Sequence, residues 1–155
     1  MEPGISYEPR STGVEYTLAL VPVYLVAQLW ERILPILKEQ PTVATPYFVT
    51  PEQTLHLLIA GKAQLWVGGP GDEIETVGIT SIMQYPSAKT LYVNYIGGRN
   101  VRGLAKCTPQ VEAYARSEGC THMEFTTVPA VMRLLRRYGY RPLAAYTCKA
   151  LVNTH

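Results

Sequence analysis

The stretch from Leu91 to Ala105 constrains the fold of this chain more than any other part of the sequence. Residues Leu91 to Ile96 predict a half-buried strand, and a turn rich in glycine and arginine, Gly97 to Gly103, follows directly. An apolar helix face begins after the turn. A strand that passes through a glycine turn into a helix presents backbone N–H groups to an anion, so one interpretation is a phosphate-binding turn. The alternative is that Gly97 and Gly98 only permit positive φ at the end of a strand and that the arginines only solvate the turn.

Length and charge narrow the classes of protein that this chain can be. Its 155 residues suit one domain, which at this size buries roughly two thirds of the surface of the unfolded chain. The formal net charge of +2 is too small to indicate a nucleic-acid or anionic membrane partner. The longest apolar run, Tyr16 to Trp30, is interrupted by polar residues and proline, and it falls short of the roughly 18 to 20 residues of a membrane span. The sequence therefore predicts a soluble cytoplasmic protein.

The cysteines and histidines show no metal-binding or redox pattern. Cys107, Cys120 and Cys148 are odd in number and lack a Cys-x-x-Cys spacing, so they indicate neither a disulfide framework nor a zinc site. The positions of Cys107 on a predicted helix face and Cys148 on a predicted strand indicate small core residues. The histidines are also far apart in the sequence, and we expect no metal site.

Apolar periodicity divides the chain into an arm and one domain. Residues 1–13 are rich in proline and glycine and predict an irregular arm, whereas 14–155 predicts a single domain. Alternation predicts strands, and an i, i+3, i+4 spacing predicts helices. Strands are expected at Val14–Leu20, Ala63–Val67, Glu73–Gln84, from Leu91 onwards, at His122–Thr127 and at Leu143–Leu151. Helices are expected from Pro22, after Thr50, after Gly103 and from Pro129.

Capping residues and prolines refine the helix boundaries. The segment Thr50-Pro51-Glu52-Gln53 is a capping box with proline in the first turn, and it predicts the start of the second helix. Pro35 is expected to bend the first helix or end it early. Pro109 leaves two alternatives for the third helix: it starts near Gly103 and kinks, or it starts at Thr108 as the N-cap. The phosphate interpretation requires the first alternative.

The order of elements, with a helix that ends Arg137-Tyr138-Gly139-Tyr140, resembles the GNAT acetyltransferase superfamily from about Val14 to Leu151. The resemblance implies an α+β (α/β) domain with a central, mixed, mostly antiparallel and curved sheet of about six strands, flanked by about four helices. It also implies that acetyl-coenzyme A binds against a splayed strand and that the acetyl group is transferred to an amine. The turn pattern of the family is Gln or Arg, two residues, Gly, one residue, then Gly or Ala. It falls on Asn100 to Ala105.

The resemblance also implies which residues bind the coenzyme. Backbone N–H groups of the turn would hold the pyrophosphate, and Gly103 and Ala105 are small enough to let the backbone approach it. Asn100 stands where the family has Gln or Arg, while two neighbouring arginines supply positive charge. The end of the splayed strand would line the pantetheine. The expected coenzyme-binding residues are Tyr95, Ile96, Asn100, Val101, Arg102, Gly103, Leu104 and Ala105.

The catalytic residues of the family are not matched. GNAT enzymes typically place an Asn seven residues before a Tyr on the last helix, and the Tyr protonates the departing thiolate. These positions fall on Val128 and Leu135, and neither side chain can transfer a proton. Glu73 and Glu75 have two interpretations: a base or water-holding carboxylate, as in some family members, or plain solvent-facing charges. The sequence assigns no catalytic residue.

Four segments look like the small GNAT-like proteins encoded among the virion and head-assembly genes of tailed bacteriophages. These segments are Ala63–Val67, Ile96–Arg99, Val111–Cys120 and Leu135–Tyr140. From the resemblance to the superfamily, the expected function is an acyl-coenzyme A-dependent N-acetyltransferase with a degenerate active site and acetyl-coenzyme A as the cofactor. The alternative, which the likeness to the phage proteins implies, is a non-catalytic structural or interaction protein of the virion. In the second case the partners are other virion proteins or copies of this chain. The expected location is the host cytoplasm, with incorporation into the virion in the second case.

An arginine cluster near the C terminus also has two interpretations. Arg133, Arg136, Arg137 and Arg141, together with nearby tyrosines, could form a nucleic-acid patch. On the predicted helix, however, the arginines lie opposite the apolar face, which is typical of a solvated surface. We therefore expect no nucleic-acid partner.

Overall fold

The computed structural model describes residues 15–39, the backbone of 43–44, and residues 50–145 and 147–151. The predicted N-terminal arm, residues 1–13, lies outside these ranges. Within them the chain forms one sheet with helices on both faces. The strands are β1 (Tyr16–Leu20), β2 (Val43–Ala44), β3 (Gln64–Pro70), β4 (Thr76–Gln84), β5 (Lys89–Gly98) and β6 (His122–Phe125).

The sheet is mixed and mostly antiparallel, as the sequence predicts. Its strands lie in the order β1-β3-β4-β5-β2, and β6 pairs with β5 as well. Only the β5–β6 pair is parallel among the ladders of the described residues. The meander of β3, β4 and β5 therefore forms the centre of the sheet, and β5 is the strand on which the remaining elements converge.

The helices begin and end close to the positions that the sequence indicates. A short 3-10 turn at Val23–Leu25 leads into the first of them. The helices are α1 (Val26–Leu37), α2 (Pro51–Ile59), α3 (Val101–Lys106), α4 (Thr108–Ser117) and α5 (Pro129–Arg136). The capping box is confirmed, since Gln53 N donates to Thr50 Oγ1 at 3.2 Å and Thr50 N donates to Gln53 Oε1 at 2.9 Å. Pro35 does not end α1 early, because the helix continues to Leu37.

Two apolar layers hold the sheet between the helices. On one face, Ile33 of α1 and Leu58 of α2 pack with Val77 and Ile79 of β4, and all four are almost fully buried. On the other face, α3, α4 and α5 cover the outer half of the sheet through two smaller clusters. Burial of this kind contributes about 25 cal/mol per Å² of apolar surface, so both layers stabilise the sheet.

The prediction of a last strand at Leu143–Leu151 is wrong for the residues that the structure describes. Residues 143–145 and 147–151 are exposed and have no regular secondary structure. Leu143 and Leu151 expose 84% and 90% of their surface, and Cys148 is exposed rather than part of a core. Alternating residues form a stable strand only where a neighbouring strand or helix covers them. The sixth strand of the sheet is instead β2, which no sequence pattern indicates.

No helix in the described part of the chain is long and apolar enough to cross a membrane.

Candidate functional site

β5 contains a β-bulge on the edge that faces β4. The register between the two strands shifts between Ile79 and Thr80 of β4, which leaves Asn94 of β5 as the extra residue. The Ser81 hydroxyl donates to Asn94 Oδ1 at 2.8 Å and holds the bulge in place. On the opposite edge, β6 follows β5 only as far as Val93. The two strands therefore separate beside the bulge, as a splayed pair does.

The edge of β5 that faces away from β4 pairs with β6 in its first half and with β2 in its second half. Val43 pairs with Ile96 and Ala44 pairs with Tyr95 in an antiparallel arrangement. A strand edge carries a single row of N–H and C=O groups, and the row at this position faces β2. The resemblance implied that pantetheine lies here. A strand of two residues has no periodicity, so the sequence could not indicate this pairing.

Tyr95 and Ile96 point to opposite faces of the sheet. The Tyr95 ring packs toward α1, and its hydroxyl donates to the backbone carbonyl of Ile36 at 3.0 Å. Burial raises the pKa of Tyr95 to about 12, so the phenol stays protonated at neutral pH. Ile96 instead packs against Leu104 of α3. Of the two predicted pantetheine residues, only Ile96 faces the helices of the turn.

The turn between β5 and α3 contains two residues with positive φ. Gly98 has φ +98° and Asn100 has φ +60°, and Asn adopts this left-handed region more readily than most residues with a Cβ. Asn100 is the N-cap of α3, and its Oδ1 accepts a hydrogen bond from the Gly103 N–H at 3.0 Å. The N–H that the resemblance assigns to a pyrophosphate therefore donates to a side chain of the same turn.

The predicted third helix is two helices in the structure. Each of the two predicted starts, near Gly103 and at Thr108, is therefore close to the start of one of them. α3 begins at Val101 and ends after six residues, and α4 begins at Thr108 with Pro109 in its first turn. The Thr108 hydroxyl donates to the Ala105 carbonyl at 2.6 Å across the break. Because α3 has only six residues, few aligned peptide units contribute to its dipole, and the positive charge of its N-terminus at the turn is correspondingly small.

Two carboxylates lie against the turn. The Arg99 guanidinium pairs with Glu73 at 3.2 Å, and both side chains are mostly exposed. The Arg99 N–H donates to the backbone carbonyl of Glu75 at 2.7 Å, and Asn100 Nδ2 lies 3.4 Å from Glu75 Oε1. Glu73 and Glu75 thus contact the turn, and they bring negative charge to the place where a phosphate was expected.

Gly103 is also enclosed by side chains of its own chain. A Cβ at this position would lie 2.8 Å from Asn100 Nδ2 and 2.9 Å from Tyr16 Cδ2. Burial raises the pKa of Tyr16 to about 12, consistent with a ring that lies between Gly68 of β3 and Gly103 of the turn. Packing within the chain therefore favours a glycine here, whether or not a ligand approaches.

An apolar cleft lies between the sheet and the helices α3, α4 and α5, and its lining includes residues of β1, β3, β4, β5 and β6. Its cavity volume is about 60 Å³, and no ionisable side chain of the described residues lines it. Its two hydroxyl groups already donate to the chain, Thr80 to Gln64 Oε1 at 2.8 Å and Thr108 to Ala105. The lining includes four of the predicted coenzyme residues, Ile96, Val101, Leu104 and Ala105.

The two positions on which the catalytic pattern of the family falls lie in and beside this cleft. Leu135 is 6% exposed and lines the cleft, whereas Val128 is 54% exposed just before α5. The tyrosines that follow face elsewhere: Tyr138 and Tyr140 line a separate, polar pocket between α4 and β6. The Tyr140 hydroxyl donates to the Glu112 carboxylate at 2.8 Å, and burial together with Glu112 raises the pKa of Tyr140. Among the residues that the structure describes, none that lines the cleft could therefore protonate a thiolate.

The other candidate groups do not assemble into a catalytic or metal site. The four arginines Arg133, Arg136, Arg137 and Arg141 are exposed, in agreement with a solvated surface. Cys107 is half-buried at the break between α3 and α4, and burial raises the pKa of its thiol, which disfavours the nucleophilic thiolate. Among the residues that the structure describes, no three His, Cys, Asp or Glu side chains are grouped as metal ligands.

Comparison with known proteins gives a result for the fold but not for the sequence. No protein-family model matches the chain, and no curated protein matches it. Among solved structures, a GCN5-related N-acetyltransferase from Ralstonia eutropha superposes with a TM-score of 0.62 at 13% identity, over 87% of this chain and 98% of that one. A predicted acetyltransferase from Clostridium acetobutylicum, solved with acetyl-CoA, has a TM-score of 0.58 at 10% identity, over 88% of this chain and 96% of that one.

A third match is glucosamine-6-phosphate N-acetyltransferase from Arabidopsis thaliana, with a TM-score of 0.56 at 12% identity, over 88% of this chain and 99% of that one. Each alignment covers nearly the whole of the solved chain, so the likeness extends over a complete domain. At such low identity it concerns the fold and not the chemistry. The chain has the GNAT fold.

Proposed function

We propose that this chain uses the GNAT fold as a non-catalytic structural or interaction protein and does not transfer acetyl groups. The apolar cleft is the observation that carries this proposal. General acid–base catalysis of acetyl transfer uses a group that moves a proton at the reacting atoms, and the described lining of the cleft offers none. Leu135 stands at the position of the family's tyrosine, and its hydrocarbon side chain is buried in the lining of the cleft.

The geometry around the turn supports the same conclusion. A pantetheine chain and β2 would compete for the same edge of β5, at Tyr95 and Ile96. A pyrophosphate would have to displace the Asn100 side chain from the Gly103 N–H. It would also lie close to the carboxylate of Glu75, which repels an anion. Each of these costs reduces the affinity for a coenzyme, and they act together.

The partners in this proposal are other virion proteins of a tailed bacteriophage or copies of this chain. The likeness of four sequence segments to small phage GNAT-like proteins supports this class of partner. Mass spectrometry of purified particles tests it: the chain should be present at a fixed copy number per particle. Its absence from particles, with the protein abundant in the infected cell, would contradict a virion role.

Titration calorimetry with acetyl-coenzyme A tests the non-catalytic part of the proposal. We expect no heat of binding at millimolar ligand and no release of free thiol with an amine acceptor. Saturable binding with thiol release above the uncatalysed rate would overturn the proposal.

Two charge-reversal variants show whether any heat in the titration comes from binding at the turn. Arg102→Glu places a negative charge in the turn at an exposed position, and Lys106→Glu places the same charge at an exposed position near the end of α3. If a coenzyme binds at the turn, only the first variant should abolish the heat. If neither changes the titration, any heat arises elsewhere on the protein.

A second candidate function is an acetyl-coenzyme A-dependent N-acetyltransferase, and one observation favours it. The bulge at Asn94, the separation of β5 and β6, and the positive φ at Gly98 reproduce the splayed strand and turn that the resemblance implies. In this case Asn100 to Ala105 would hold the pyrophosphate, and Tyr95 and Ile96 would line the pantetheine after β2 leaves the edge. Positioning alone can accelerate transfer without a dedicated acid.

Hydrogen exchange distinguishes the two functions. The backbone amides that join β2 to β5 should exchange at the same rate with and without acetyl-coenzyme A if the proposal is correct. If the chain is an enzyme, the coenzyme should displace β2, and exchange at 43–44 should become faster while exchange at Tyr95 and Ile96 becomes slower.

A further inference from the structure

We propose that the arginine-rich surface at the end of α5 binds a single-stranded nucleic acid, with phosphates on the arginines and one base in the polar pocket beside Tyr138. We call this surface the basic face, and it consists of Arg133, Arg136, Arg137 and Arg141. Neither the apolar cleft nor the turn after β5 takes part in it. The proposal therefore goes beyond the proposed function, and it holds whether or not a coenzyme binds.

The charges of the chain are divided unequally along its length. Residues 1–124 contain all 12 of the Asp and Glu residues but only nine of the 14 Lys and Arg residues, a formal charge of −3. Residues 125–155 contain the other five Lys and Arg residues and no acidic residue, a formal charge of +5. The net charge of +2, on which the expectation of no nucleic-acid partner depends, conceals this division. Such an asymmetry indicates an anionic partner for the basic part.

The structure collects most of these cations on one exposed side of α5. Arg133 and Arg136 belong to the helix, Arg137 is its C-cap residue, and all three are exposed. The opposite side of the helix lines the apolar cleft through Leu134 and Leu135. Residues three and four apart lie on the same side of a helix, at intervals of about 4.5 to 6 Å along its axis. The arginines therefore form a row of closely spaced charges.

The chain turns back after α5 and adds Arg141 to this row. Gly139 has φ +90°, and the Tyr140 N–H donates to the Leu135 carbonyl in the last turn of the helix at 3.3 Å. Arg141 follows directly and is exposed. Its backbone is therefore held near the end of α5, beside the other three arginines.

The carboxylates of the adjoining elements have other partners. Glu112 of α4 accepts a hydrogen bond from the Tyr140 hydroxyl, and its second oxygen lies 4.0 Å from the Arg116 guanidinium. Glu124 of β6 accepts a hydrogen bond from the Thr90 hydroxyl. Within the described part of the chain no ion pair joins a carboxylate to the basic face. Its guanidinium groups can therefore bind phosphates, which arginine does through two parallel hydrogen bonds.

A polar pocket continues the basic face and favours a single strand. Its cavity volume is about 180 Å³, larger than that of the apolar cleft, and its lining includes Tyr138, Arg116 and His122. Tyr138 directly follows Arg137, so the pocket begins where the row of arginines ends. Bases of a single strand stack on aromatic rings, whereas the bases of a duplex are already stacked on one another. An acidic peptide would contact the arginines and leave the pocket empty.

Fluorescence anisotropy of the full chain with a labelled oligothymidylate of about 20 nucleotides tests the proposal. When a protein neutralises Z phosphates of a single strand, the logarithm of the association constant falls with the logarithm of the salt concentration at a slope of about −0.7Z. Four arginines predict a slope of about −2.8, so the affinity should fall about 50-fold between about 50 and 200 mM salt. No saturable binding at the lower salt concentration would overturn the proposal.

Arginine-to-glutamine variants measure the contribution of the basic face. Arg136→Gln and Arg137→Gln each remove one charge from an exposed position, so the fold should not change and the slope should become shallower by about 0.7 in each. Lys62→Gln is the matched control, because Lys62 is exposed just after α2, which packs on the other face of the sheet. It should bind as the wild type does. Wild-type slopes in both arginine variants would contradict the assignment.

Two substitutions at Tyr138 test the pocket. Tyr138→Phe keeps the ring and should bind as the wild type does. Tyr138→Leu removes the stacking surface and should weaken binding about fivefold or more with no change in the salt slope. Circular dichroism and urea unfolding check that both variants are folded. Equal affinities of the two folded variants would show that no base stacks here, and the proposal would fail.

Competition with other polyanions separates a single strand from the alternatives. A duplex of the same length should bind about fivefold more weakly or less, because its bases cannot enter the pocket. Polyglutamate of equal charge should not displace the labelled strand. Oligouridylate of the same length distinguishes RNA from DNA: binding of either strand supports the proposal, and the tighter one identifies the sugar. A duplex or polyglutamate that binds as tightly as the single strand would overturn it.

Discussion

Asn100 Oδ1 accepts a hydrogen bond from the Gly103 N–H at 3.0 Å, three residues further along the turn. This single contact satisfies the backbone donor that a phosphate would otherwise use. It also fixes the start of α3, because Asn100 is the N-cap of that helix with φ +60°. The turn is therefore stabilised from within the chain, and its stability can be measured without any ligand.

Substitutions at Asn100 should separate the two roles of this residue. Asn100→Gly retains the left-handed backbone and should lower the free energy of unfolding by only a few tenths of a kcal/mol. Asn100→Ala loses the cap and also strains the backbone, so it should cost about 2 kcal/mol. Urea unfolding of both variants measures the difference. Equal losses would mean that the left-handed conformation contributes nothing.

Gly103→Ala should destabilise the fold even in the absence of a ligand. The new Cβ would lie under 3 Å from Asn100 Nδ2 and Tyr16 Cδ2, and overpacking of this kind typically costs about 1 to 3 kcal/mol. Thermal and urea unfolding measure the loss, with the exposed α3 variant Lys106→Ala as the control. A Gly103→Ala protein as stable as the wild type would show that this space is not needed.

The stability of the protein should decrease at alkaline pH, in part through Tyr95. Its pKa is raised to about 12 in the folded chain by burial, against about 10 in an unfolded chain. The folded state therefore retains a proton that the unfolded state has lost, and the contribution is complete below about pH 10 and disappears as pH rises toward 12.

Urea unfolding between neutral pH and pH 11.5 measures this dependence. Tyr95→Phe should make it shallower, and at neutral pH the variant should lose about 1 kcal/mol because the hydrogen bond to the Ile36 carbonyl is absent. Tyr24→Phe, at a position 80% exposed, is the matched control and should leave the pH profile unchanged. An identical slope in Tyr95→Phe and the wild type would contradict the prediction.

Tyr140→Phe should weaken the attachment of the chain after α5 to α4. The variant keeps the edge-on ring contact with Phe125 and loses the hydrogen bond of the hydroxyl to the Glu112 carboxylate, together with its weak contact with Met123 Sδ. A half-buried hydrogen bond to a charged group contributes about 1.5 to 3 kcal/mol. The free energy of unfolding should fall by about this amount, whereas Tyr138→Phe in the same pocket should change it little.

The local features of this chain could be predicted from adjacent residues. The capping box at Thr50 depends on side chains three positions apart, and the structure contains both of its hydrogen bonds. The meander of β3, β4 and β5 and the order of the helices also follow the predicted pattern. These features depend on residues that are close together in the sequence, which is the range over which periodicity and capping act.

The candidate site depends on contacts between residues that are distant in sequence. That Leu135 closes an apolar cleft, and that Glu75 reaches the turn, follows from where α5 and β4 lie around β5. The prediction of a strand at Leu143–Leu151 failed for the same reason, since the local pattern could not reveal that no strand of the described residues pairs with this segment.

The sequence by itself determined the central meander, the helices and the glycine turn of this protein, because these depend on neighbouring residues. Only the tertiary structure decided that β2 pairs with the edge of β5 and that Asn100 Oδ1 accepts the hydrogen bond of the Gly103 N–H. A backbone donor or strand edge can accept a ligand or another part of the chain. The packing of segments that are distant in sequence determines whether the donor or edge contacts a ligand or another part of the chain. A local sequence pattern does not contain that information.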